Sequence, residues 1–301
     1  MPVVLVTGIC GNILSLVVFI RSRGRGDAPV QYLGCLALSD NGVILTIGFQ
    51  HWLNKGLAYV TGGKHSYNLA ESSDISCKVI MTIFNISGIM SAWLIVAFST
   101  ERAIIVWFPL KRALISKKKR SAVITMILLT AVCASIYRFI QIKNYQVSGA
   151  ARCWYPGDLY VAFIMFHIES IMFTYLPCML ILLANLFILF GVSRARSAIS
   201  GKVKGQGQEK RIVGTLVSVS VFYIIFMFPA SVLYSYFLYI MMFPGEESYA
   251  AWMYNIMSFF DQFSMFNYCL NFIIYGCTLP FFRREAEVIF RLRKNITPPR
   301  C

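Results

Sequence analysis

Charge is what this sequence has least of. Asp, Glu, Lys and Arg together make up 14% of its 301 residues, and acids are the scarcer sign, 13 against 28 bases. Histidine is scarcer still, with His51, His65 and His167 far apart along the chain. Each shortage excludes something. With 57% apolar residues, there is too little polar surface to wrap a water-soluble domain. Three scattered histidines offer no metal-ligand pair and no His-acid cluster, which argues against an intramembrane enzyme. Internal repeats are missing too, and a transporter built from two like halves would show them.

What the chain has instead is apolar runs. Seven reach the length of about 20 residues needed to cross roughly 30 Å of hydrocarbon: 2–20, 29–53, 75–106, 121–141, 159–192, 212–242 and 250–277. Backbone groups within lipid must be satisfied inside the segment, so the runs predict helices. The fold class is an all-α membrane protein, a seven-transmembrane helix bundle spanning 1–278. Beyond it, 279–301 holds an amphipathic eighth helix and a short tail. Within 280–294, Phe282, Ala286, Ile289 and Phe290 share one helical face and the Arg and Glu residues take the other.

The bases set the orientation. Arg21, Arg23 and Arg25 follow run one, Lys111 to Arg120 follow run three, Arg194 to Arg211 follow run five, and Arg283 to Arg300 follow run seven. Alternate loops are poor in Lys and Arg, so the basic side is cytoplasmic and the N-terminus extracellular. A basic inner face would also attract anionic membrane lipid. A nucleic-acid reading of "KKKR" at 117–120 is the weaker one, because it sits between two spans. "GKVKGQG" at 201–207 has no strand before it and reads as a basic loop, not a phosphate cradle. No signal peptide precedes run one, which leaves open a very short N-terminus or a fragment.

Two cysteines and a few polar residues stand out. Cys77 and Cys153 both fall on the predicted extracellular side, where a bridge between them is chemically permitted; two unrelated thiols is the alternative. Asp40, Ser91, Asn267 and Asn271 lie near mid-depth of their spans, where polar groups are costly. A sodium ion would suit such an oxygen-rich set, and a hydrogen-bonded network that fixes helix packing would suit it equally. No other cofactor is expected.

"GN" at 11–12, "LALSD" at 36–40, Cys77 placed 25 residues before Arg102, "ERA" at 101–103, Pro109, Pro177, Pro229 and "NFIIY" at 271–275 form an ordered set. Together they resemble the rhodopsin-like (class A) G-protein-coupled receptors over nearly the whole chain. "NYCLNFIIYG" at 267–276 and "FPLK" at 108–111 look most like invertebrate neuropeptide receptors of the FMRFamide-receptor kind. Departures from the family pattern are Ala103 for Tyr, no Trp in run four, Met227 for Trp, Phe272 for Pro and Asn185 for Tyr.

The resemblance implies a plasma-membrane receptor for an extracellular ligand, coupled to a heterotrimeric G protein, with no catalytic residues. Arg102 would be held at rest by Glu101 and by Glu209, which lies twenty residues before Pro229. Pro229 would supply a kink in helix six, and Tyr275 would face the same cytoplasmic groove. Toward the other end, Glu169 and Asp261 flank aromatic positions. A cavity lined by Phe84, Asn85, Tyr234, Phe237 and Gln262 beside those acids would suit an amidated peptide ending in Arg-Phe. The opposing reading pairs each acid internally, with His167, Lys78 or Arg138 as partners. No Asp near Phe84 argues against an amine ligand, and no Lys within 250–277 argues against retinal. A divergent chemosensory or non-coupling receptor is the alternative function.

Overall fold

The computed structural model describes residues 2–22, 30–108, 110–111, 115–147, 150–154, 159–198, 206–241 and 247–290. Pro109 and the tail from 291 lie outside them. α1 is Pro2–Ser22 and α2 is Val30–Val60. α3 is Asp74–Trp107 and α4 is Lys117–Gln141. β1 (Lys143–Val147) and β2 (Ala150–Trp154) pair antiparallel, with Asn144 opposite Cys153. α5 runs as Leu159–Ser170, a π turn at Ile171–Tyr175, and Leu176–Ala198. α6 is Gln206–Met241. α7 is Glu247–Cys269, which resumes after Leu270 as Asn271–Thr278, and α8 is Pro280–Ile289.

The helices from α1 to α6 are each long and apolar enough to cross a membrane, and α7, bent 102° from α8, passes the same test only together with it. The expected bundle is therefore present. Its boundaries follow local chemistry. Ser73 accepts from Ser76 N–H at 3.0 Å and starts α3; Ser116 accepts from Lys119 N–H at 3.3 Å and starts α4. α2 outlasts its apolar run by seven residues, to Val60, because it continues through π turns at Ile44–Gly48 and Trp52–Gly56. Gly62 and Gly63, both at positive φ, then turn the chain away from the helix.

α3 is the central helix, packing on α2, α4 and α5. Close approach is bought by missing side chains: a Cβ on Gly88 would meet the Phe173 ring at 1.9 Å, and one on Gly11 would meet Phe272 at 2.1 Å. α4 stands at the edge, where buried Arg120, Ala131, Ser135 and Arg138 mark its inward face, while Met126, Leu129, Ile136 and Ile140 are exposed to the bilayer.

Pro177 has no N–H to give the carbonyl four residues back, that of Phe173. Tyr223 of α6 supplies the missing donor. Beside it, Trp93 of α3 donates to the Met172 carbonyl at 3.0 Å. The irregular stretch of α5 thus becomes the point at which three helices are tied together. Pro229 behaves differently: α6 stays one helix through it. The break falls in α7 at Leu270, where no proline stands, and Asn271 immediately after it reaches across to α2.

α8 departs from its expected amphipathic division. Phe282 is buried, but so is Glu285, which faces Arg21 of α1 at 3.8 Å, while Phe290 is exposed. The acid was expected on the solvent face. Its position near a helix-one base explains the burial, since a buried carboxylate needs such a partner.

Candidate functional site

At mid-depth, Asp40 of α2 is fully buried and both its oxygens are engaged. Ser91 of α3 donates to Oδ1 at 2.7 Å, and Asn271 of α7 donates to Oδ2 at 2.7 Å. One carboxylate thus joins three helices. Asn12 of α1 donates to the Tyr268 carbonyl at 3.0 Å and brings in a fourth. Asn267, one turn before Asn271, is buried with neither amide atom hydrogen-bonded, and Asn12 Oδ1 has no donor either. Amide, hydroxyl and carboxylate oxygens are the ligands that a hard cation takes, and the set Asp40, Ser91, Asn267 and Asn271 is of that chemistry.

Near the α8 end of the bundle, Glu101 and Arg102 are both buried at the foot of α3. Arg102 Nη2 comes no closer than 4.0 Å to Glu101 Oε1, and its guanidinium lies over the Phe98 ring, 5.4 Å from the centroid. Glu209 falls within α6, but its side chain is outside the described residues. The Tyr275 ring is fully buried, edge-on to Phe19 at 5.4 Å and near Phe282 at 5.9 Å, which ties α7 to α1 and α8. Thr215 of α6 donates to Thr278 of α7 at 2.7 Å, a link between the two helices that the sequence reading missed.

The hairpin end carries the expected bridge. Cys77 and Cys153 are disulfide-bonded with their Cα atoms 5.6 Å apart, fastening β2 to the start of α3. Asp74 accepts from Asn144 N–H at 3.0 Å, and Asn144 Nδ2 donates to the Glu71 carbonyl at 2.7 Å, so β1 is fastened as well.

Below the hairpin, the contacts of the proposed ligand-binding residues fall, among the described residues, into separate groups. Glu169 is bound by Arg138 Nη1 at 2.7 Å and by the Tyr137 hydroxyl at 2.6 Å, both from α4. Internal pairing with Arg138 is thus the arrangement present, while Lys78 pairs with Asp74 and His167 Nδ1 lies 2.8 Å from the Phe163 carbonyl. Arg138 was among the partners that the opposing reading named, because an Arg inside an apolar run is costly without an acid. The Arg138 guanidinium lies 6.0 Å from the Phe84 ring centroid, and Phe84 packs on Phe173. Tyr234 packs on Phe166 of α5 at 4.3 Å, with Phe237 beside it.

Asn85 is a correction. It is buried and accepts from Ser135 of α4 at 2.8 Å, so it belongs to the α3–α4 seam and not to a cavity. Gln262 lines a separate space of about 370 Å³ between α1, α2 and α7, with His51, Trp52, Lys55 and Tyr59. Lys55 crosses to α7, donating to Ser258 at 2.7 Å, and its charge also acts on Asp261.

A central helix bridged by disulfide to a hairpin, a buried Asp on helix two held by helices three and seven, and an Arg at the foot of helix three define a seven-helix receptor. The family model of 7 transmembrane receptors (rhodopsin family) matches residues 11–275, and the chain belongs to that family. Its members are receptors and not enzymes. Among curated proteins, the chain is 26% identical over 237 residues to the somatostatin receptor type 2 of Mus musculus, and 25% identical over 234 residues to that of Sus scrofa. Each match takes in 73% of this chain and 58% of the relative's length.

Proposed function

We propose that this chain is a plasma-membrane receptor that binds a short peptide at an extracellular hairpin end and activates a heterotrimeric G protein at the Arg102 end. Its N-terminus is extracellular in this reading. One observation carries the ligand class: Phe84 of α3 lies against the Arg138–Glu169 pair, Phe166 of α5 packs on Tyr234 of α6, and α3 is disulfide-bonded to the hairpin. Flat rings and a charged pair suit a peptide carrying aromatic and charged groups. The relatives' names point to peptide ligands for those proteins, which supports the same class here. An amidated neuropeptide with a cationic residue remains the ligand of choice, with Asp261 as the acid that would meet it, since Glu169 is held by Arg138.

Sodium would sit with Asp40, Ser91, Asn267 and Asn271, where its charge would neutralise the carboxylate and fill the empty valence of the Asn267 amide oxygen. Those residues hold α2, α3 and α7 together with or without it. A chemosensory or non-coupling receptor is the second reading, favoured by Asn185 and Met227, buried where relatives carry Tyr and Trp, with Asn185 Oδ1 lacking a donor.

The test is a second-messenger screen against amidated neuropeptides, in wild-type and Asp261→Asn cells of equal surface expression. Loss of one ion pair should weaken agonist potency about tenfold. Unchanged potency would discard the role of Asp261, and silence across the library would favour the second reading.

A further inference from the structure

Glu101 precedes Arg102 in α3, yet it is Arg120 that takes its carboxylate. Arg120 Nε donates to both oxygens, at 3.0 Å to Oε1 and 2.9 Å to Oε2, whereas Arg102 reaches Glu101 only at 4.0 Å. All three side chains are buried. Tyr32 of α2, buried and stacked on Phe98, stands near the same carboxylate. Three charged or polar groups from three helices therefore surround one acid.

The placement of Arg120 follows from its local sequence. Ser116 caps α4, so Lys117, Lys118, Lys119 and Arg120 form its first turn. The three lysines are exposed and only Arg120 turns inward. A guanidinium is more weakly hydrated than an ammonium and can bridge two carboxylate oxygens, so arginine is the base that this buried place accepts. Charge-assisted bonds to Arg120 at this length are far stronger than a 4.0 Å approach by Arg102. An acid already held so closely has a weaker grip on a second base.

We infer that Arg120 is a positioning residue for G-protein activation: by holding Glu101 from α4, it loosens the hold of Glu101 on Arg102 and sets the receptor's ligand-independent activity. The inference rests on the coupling reading above. It makes the first turn of α4 a second control on the foot of α3, independent of any acid on α6. Movement of α4 or of the segment before it would then be felt at Arg102 through Glu101.

Two measurements test it. The first is agonist-free nucleotide exchange in membranes supplied with purified heterotrimers of each G-protein class, at matched receptor density. Arg120→Gln releases Glu101 toward Arg102 and should lower basal exchange about threefold, the response to a modest population shift. Arg120→Lys should recover part of the loss, and the drop should vanish when Glu101 is already Gln. A raised or unchanged basal rate in Arg120→Gln overturns the inference, as does an equal drop in the Glu101→Gln background, which would mark Arg120 as an anchor of α4 only. Wild-type receptor that exchanges no nucleotide with any class overturns the coupling reading itself. The second is thermal melting of purified receptor, which needs no G protein. Glu101→Gln and Arg120→Gln should lower the melting temperature less than additively when combined. Additive losses would show that the pair does not form, and would overturn the inference.

Discussion

The two ends of the bundle are fastened by different kinds of bond. At the hairpin end, α3 is joined to β2 by a disulfide, β1 is bonded through Asn144 to Asp74 and Glu71, and Arg138 and Glu169 close a 2.7 Å pair between α4 and α5. At the Arg102 end, the ties can be exchanged. Glu101 stands between Arg120 and Arg102, Thr215 meets Thr278 through hydroxyls, and Arg21 faces Glu285 at 3.8 Å. A disulfide has no ready substitute partner. A carboxylate between two arginines has one at hand. The difference teaches where motion is cheap: a fixed end keeps the shape a ligand must recognise, and an exchangeable end supplies the two arrangements a switch requires.

The largest effect is expected from breaking the fixed end. Glu169→Ala takes the 2.7 Å acid partner from the buried Arg138 guanidinium, and losing one partner of a buried pair costs about 3–5 kcal/mol. Purified receptor should melt markedly lower, and adding Arg138→Met should restore most of the loss, since an apolar replacement for the whole pair is far less costly. A single variant that melts like wild type would show that the pair does not fasten α4 to α5. The smaller effect is at the other end. Thr215→Val keeps side-chain shape but removes the donor to Thr278, a loss of about 1 kcal/mol. If that bond belongs to the closed arrangement, agonist-free signalling should rise roughly threefold, as the lost bond shifts the balance toward the open one. A fall in basal signalling would place the bond in the active arrangement instead.

Much of this architecture was legible in the sequence, because the bilayer imposes a simple length rule on apolar runs. The basic loops and the Cys77–Cys153 bridge were equally readable. Side-chain partnership was less so. Arg120 counted as one more base in a run of four, and charge counting cannot see that three point to water and one to Glu101. Asn85 carried no sign of its turn toward Ser135, since facing α4 or facing a cavity differs by a fraction of a helical turn. The break at Leu270 was not legible because it comes without proline: Asn271 bonds to Asp40 and the Phe272 ring packs against Gly11. Pro229, the residue expected to kink α6, stands inside one continuous helix. Helix irregularity here depends on what lies across the bundle as much as on the residue itself.

The account's central claim is that recognition and coupling reside at separable ends. The most direct test is to take an agonist from the peptide screen and measure, at equal surface expression, both its binding and its second-messenger response in wild type and Arg102→Ala. The account predicts binding within about threefold of wild type together with loss of the response. A response that survives Arg102→Ala, or binding that disappears along with it, would contradict the claim.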